Sequence, residues 1–101
     1  MTAARMKEKL DRAARRGAEA ALRTLAEAAR ERTPVDTGRL RESCRVEMDG
    51  KGAGGTVRYG APYAAVRHAA GPAFLADAAR SPAVQRHMAE ALTRELRTEM
   101  R

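Results

Sequence analysis

From the third residue onward, apolar side chains recur every three or four positions: Met6, Leu10, Ala14, Ala18, Ala21, Leu22, Leu25 and Ala29. That spacing predicts an amphipathic helix over about residues 3–31, with charged residues on its remaining faces. Gly17 is its weak point, costing about 1 kcal/mol against alanine. The small residues beside it would let a second helix approach closely. The pattern stops before Pro34, because the residue preceding a proline avoids helical backbone angles.

Residues 33–44 change the chain's direction. They read Thr33-Pro34-Val35-Asp36-Thr37-Gly38-Arg39-Leu40-Arg41-Glu42-Ser43-Cys44. Thr33 can cap a helix that has Pro34 at its first position and Asp36 at its third. Alternatively, Asp36 or Thr37 caps a short helix running from Arg39 to Ser43. In both readings Gly38 permits tight packing, and Leu40 is the one apolar anchor.

The period then drops to two. Val46 and Met48 alternate with Arg45, Glu47 and Asp49, and Val57 and Tyr59 alternate with Thr56 and Arg58. Over 45–60 this predicts a β-hairpin with a long glycine-rich tip. A lone hairpin is unstable in water, so it must lie on the helices or pair with a neighbouring subunit. Gly60-Ala61-Pro62 breaks the second strand, and Pro62 opens a short helix over 62–69 carrying Tyr63, Ala64 and Val66. Gly71-Pro72 reads as a further break, followed by Phe74-Leu75 and a short alanine-rich stretch. Ser81-Pro82 is a cap plus first-position proline. It opens a last helix over about 82–100, striped by Val84, Met88, Ala91, Leu92, Leu96 and Met100. The expected fold is a single α+β domain, a short antiparallel sheet covered by two long helices.

Composition adds two constraints. In 101 residues the aromatics are Tyr59, Tyr63 and Phe74, with no tryptophan. The core is therefore built from alanine and medium aliphatics, which favours a subunit stabilised by assembly. The single cysteine, Cys44, allows no intrachain disulfide. The net charge is +7, which favours polyanionic partners. The positive and negative residues are nevertheless interspersed, as on ordinary solvated helices. No apolar run approaches the roughly 20 residues of a membrane span, and the N-terminus lacks a signal peptide's apolar region.

Candidate chemistry is sparse. Ser43, Cys44 and Ser81 are nucleophile types and His68 and His87 are possible bases, but no local signature joins them. Two histidines 19 positions apart, without a cysteine cluster or an acidic loop, match no metal-ligand spacing. Lys51 in the glycine-rich stretch lacks the ending and following helix of a phosphate loop. No catalytic residue, cofactor or metal is expected. Arg39, Arg41, Arg45 and Arg58 gather around the turn and hairpin. Without a recognition helix or stacking aromatics, they support at most contact with phosphate backbones.

The run Thr33 to Ser43 resembles the corresponding segment of the small neck, tail-completion or minor capsid proteins of long-tailed bacteriophages. Tyr59-Gly60, Pro62-Tyr63-Ala64 and Pro72-x-Phe74-Leu75 follow in the order seen in that family. After the tyrosine–alanine pair the family often has an acidic residue and a glycine, where this chain has Arg67 and His68. The resemblance implies a non-enzymatic virion protein of the head–tail junction, assembled in the host cytoplasm. It also implies a ring of identical subunits around the DNA channel, in contact with head-closure, tail-terminator or tail-tube proteins and with packaged DNA. Thr33, Pro34, Asp36, Thr37, Gly38, Arg39, Leu40, Arg41 and Ser43 would then form the signature and interface. The alternative is a small basic protein that binds nucleic-acid backbones without reading sequence.

Overall fold

A computed structural model of the chain describes residues 2–33, 39–60 and 70–101. Helix α1 spans Ala3–Arg32, followed by the single-turn helix α2 at Arg39–Glu42. Strands β1 (Cys44–Met48) and β2 (Gly55–Tyr59) come next, then helices α3 (Ala70–Arg80) and α4 (Pro82–Glu99). This is the expected α+β arrangement. The expected short helix at 62–69 lies outside the described residues, as do Pro34, Asp36, Thr37 and Gly38.

Local chemistry explains the helix boundaries. The Thr2 side chain accepts from the Arg5 amide and starts α1. Ser81 does the same for the Val84 amide, with Pro82 in the first turn of α4. The break expected at Gly71-Pro72 does not occur. Both residues fall in the first turn of α3, where a proline's missing N–H has no partner to lose.

α1 is the hub. The hairpin, α3 and α4 all pack on it, so α4 lies on α1 rather than over the sheet. α1 and α4 run antiparallel: Arg16 pairs with Glu99 at 3.0 Å, and Lys9 Nζ donates to the Arg101 carbonyl at 2.9 Å. Where they cross, Leu92 packs directly on the backbone of Gly17, occupying the place of a Cβ. Ala13 and Gly17 are buried there.

This seam differs from the stripe the periodicity predicts. Met6 is 41% and Leu10 49% exposed, and Ala14 is exposed too. Two physical reasons account for the shift. Gly17, with no side chain, sets the phase at which α4 approaches most closely, and Ala13, one turn earlier, shares that phase. In addition, α4 ends opposite Lys9, so no described element covers the first turns of α1.

The strands pair antiparallel, with Cys44 opposite Tyr59, Val46 opposite Val57 and Met48 opposite Gly55. These residues face α1, where Ala26, Ala28, Ala29, Cys44, Val57, Ala78 and Val84 form the core cluster. Leu22, Leu25, Val46, Tyr59, Leu75 and Met88 pack around it, half-buried. Among the described residues, the largest fully buried side chain is that of Cys44. The core is as thin as the composition implies.

Candidate interaction surfaces

The point where α1, the turn and the hairpin meet is held by a compact polar cluster. Thr33 ends α1 in an extended conformation, its amide donating to the Arg30 carbonyl. Its hydroxyl is turned back into the protein, 2% exposed as a residue, and donates to the Ala29 carbonyl at 2.7 Å. The Tyr59 hydroxyl lies 2.7 Å from it and 3.3 Å from the same carbonyl. Thr33 therefore ends α1, its hydroxyl donating back into that helix. A buried hydroxyl is driven to the nearest acceptors, and here these belong to α1 and β2.

Cys44 joins this cluster. Its thiol lies 3.7 Å from the Ala26 carbonyl, and its own carbonyl accepts from Arg30 Nη2 at 2.6 Å. Burial pushes the Cys44 thiol above its ordinary value, with Arg30 and the contact to Tyr59 acting in the opposite direction. Burial also raises the Tyr59 phenol, opposed by its hydrogen bond with Thr33. A thiol raised by burial stays protonated at neutral pH and is a poor nucleophile. Ser43 is buried, and its carbonyl accepts from the Gly60 amide at 3.0 Å. Neither residue has a histidine beside it among the described residues; His87 is exposed on α4.

The turn therefore separates into two parts. Thr33, Ser43, Tyr59 and Gly60 are fastened to the fold, whereas Arg41 is only half-buried on α2. Arg39 is the first residue of α2, with Leu40 next. Among the more distant positions, Phe74 and Leu75 are half-buried on α3. Pro62, Tyr63 and Ala64 lie outside the described residues.

The hairpin presents its other face to solvent. Arg58 donates twice to Glu47 Oε1, at 2.9 and 2.7 Å, which offsets the placing of Arg45 directly opposite Arg58. Arg45 also lies against Gly60. The hairpin runs along α1, and its tip is tied down where the glycines predict a loose loop. Arg15 Nη1 donates to the carbonyls of Asp49 at 2.7 Å and Gly52 at 3.0 Å. Gly52 takes a positive φ of 78° there, which glycine adopts at no steric cost.

The charged residues of α1 are mostly used within the protein. Lys7 pairs with Asp11, Arg16 with Glu99 and Arg23 with Glu19. Sequence reading singles out the arginines around the turn and hairpin and passes over α4. On α4, Arg86, Arg94 and Arg97 are exposed and border one open groove together with Arg101. The signal that finds them is helical phase, which places Arg86, Arg94 and Arg97 on one side of α4, with Arg101 just past its end.

No group of three or more metal-ligating side chains occurs among the described residues, and none of their helices is long and apolar enough to cross a membrane. No curated protein and no solved structure matches the chain. One family model does match, over residues 2–67. The match takes in α1, the turn from Thr33 to Ser43, the hairpin and the Tyr63-Ala64 pair, and stops before α3 and α4. On that match, covering well over half its length, the chain belongs to the family described as bacteriophage HK97-gp10, putative tail-component.

Proposed function

We propose that this phage tail-component protein is a ring-forming subunit of the head–tail junction, joining the head-side connector to the tail around the DNA channel. The carrying observation is the family match over residues 2–67. The form of the molecule supports the finer role. It is a slat of 53 × 27 × 18 Å in which the largest fully buried side chain among the described residues is a cysteine. A protein with so little interior gains from burying surface against neighbours.

It also offers the unlike faces that a head-to-tail ring requires. Met6 and Leu10 lie one turn apart on α1, with the exposed Met100 at the adjoining end of α4, and give one apolar end. The other end carries the turn with Arg39 and Arg41. In the ring, the apolar end of one copy meets the Arg39–Arg41 end of the next, and the hairpin's solvent face, with Glu47 and Arg58, extends the contact. Single-particle imaging of the virion tests this reading. A ring of this chain between portal and tail is the expected result, and a neck without density for it overturns the assignment.

A further inference from the structure

We infer that the outward face of α4 is a binding surface for the phosphate backbone of double-stranded DNA. The charges of this helix are segregated. Glu99 turns toward α1 and pairs with Arg16, and Glu95 borders the same α1 segment at Arg16, Ala20 and Arg23. Arg86, Arg94, Arg97 and Arg101 border a single groove on the outer side, with Glu90 the one carboxylate among them. At about 100° per residue Arg86, Arg94 and Arg97 fall within an arc of about 80° over about 16 Å of helix, and Arg101 follows just beyond its end. No ion pair or side-chain hydrogen bond engages these four guanidiniums among the described residues. By contrast, Lys7, Arg15, Arg16, Arg23 and Arg30 on α1 are all engaged.

The chemistry of the ridge selects the partner. Duplex DNA presents one negative charge about every 1.7 Å of axis, so a ridge of this length meets several phosphates. The side chains between the arginines, Ala89, Thr93 and Thr98, are short and let the guanidiniums reach a rod-like surface. No asparagine, glutamine or aromatic lines the groove to read or stack on bases, so contact is independent of sequence. An acidic protein partner would be expected to find an apolar or aromatic anchor, and Ala89 is the largest apolar side chain present. An anionic lipid surface would require the helix's apolar side, which is spent on α1.

The inference extends the proposed function without resting on the ring, since α4 lies beyond the family match. Its test is duplex binding by fluorescence anisotropy across a salt series, with wild type, R86Q/R94Q/R97Q and a charge-matched control, R5Q/R12Q/R45Q. Circular dichroism first verifies that all three fold alike. The α4 variant is expected to lose about tenfold or more in affinity, its log–log salt slope falling by about 2–3, while the control stays within about threefold. Equal losses in both variants, no duplex binding by wild type, or equally tight binding of polyglutamate would each overturn the inference. A protein that stays monomeric in virions and in solution, yet binds DNA through α4, retains this surface and removes the ring.

Discussion

The hydroxyls of Thr33 and Tyr59 lie 2.7 Å apart, joining the end of α1 to the end of β2 across 26 residues. Ala29 supplies the carbonyl both of them approach. Removing the Thr33 hydroxyl leaves Tyr59 with only its 3.3 Å bond, and removing that of Tyr59 leaves the buried Thr33 with the Ala29 carbonyl alone. Tyr59→Phe should cost about 0.5–1.5 kcal/mol, and Thr33→Val about 1–3 kcal/mol. A double-mutant cycle from urea denaturation should show positive coupling of at least about 0.5 kcal/mol. Additive losses would mean that the two hydroxyls act separately.

The crossing of α1 and α4 makes a prediction about size. On Gly17, a methyl group meets the movable end of Leu92, and the next nearest atom is 3.5 Å away. Alanine also gains about 1 kcal/mol in helix propensity. Gly17→Ala should therefore stay within about 1 kcal/mol of wild type, after Leu92 rotates. Gly17→Leu has no such escape and should lose about 1–3 kcal/mol by forcing the helices apart. Thermal unfolding of the two variants checks the contrast.

Alkaline pH should weaken the fold. The Cys44 thiol and Tyr59 phenol are both raised by burial above their ordinary values of 9.0 and 10.0. The folded state thus holds these protons more tightly than the unfolded state. Stability should be level below about pH 9 and fall as pH rises through the unfolded and then the folded values. Cys44→Ala should remove the earlier part of the decline and leave the later part, which belongs to Tyr59. The urea midpoint followed from pH 7 to about pH 11 measures both.

The guanidinium that ties the hairpin tip should be visible in hydrogen exchange. The Asp49 amide donates to the Gly54 carbonyl at 2.9 Å, closing the tip that Arg15 holds from α1. Arg15→Ala should speed exchange at Asp49 while costing under about 1 kcal/mol of global stability, since these bonds are solvent-exposed. Unchanged exchange would mean the turn holds itself.

Leu10 separates folding from assembly. It is 49% exposed in the isolated chain, so Leu10→Ser should change stability by no more than about 0.5 kcal/mol. In the proposed ring the same substitution places a hydroxyl in an apolar contact. Virions carrying it should assemble poorly, measured as tailed particles against separate heads and tails. Normal particles would move the subunit contact away from this end of α1.

Much of the fold was legible because its determinants are local. Ser81-Pro82 placed the start of α4, and the alternation through Val46 and Val57 gave the hairpin with its inner face correct. What escaped the pattern depends on neighbours. Helical period alone could not say that Ala13 and Gly17, rather than Ala14, face α4, because close approach of a second helix decides that. Nor could it show that Thr33 spends its hydroxyl on Ala29 and Tyr59, since Tyr59 arrives 26 residues later. The α4 arginines were overlooked for a related reason: that Glu90 alone of the helix's acids stands among them appears only once Glu95 and Glu99 are seen turned toward α1. Gly71-Pro72 misled because a proline breaks a helix interior but suits a first turn.

The thinness of the molecule bears on how such a protein changes over generations. In a slat 18 Å thick, nearly every side chain is within reach of an outer face. A damaging substitution then has few internal positions able to compensate for it. Genetic suppressors of such a defect should therefore arise mainly in other chains of the particle, at residues that touch the altered face. Mapping them would trace the outline of its neighbours without isolating a complex.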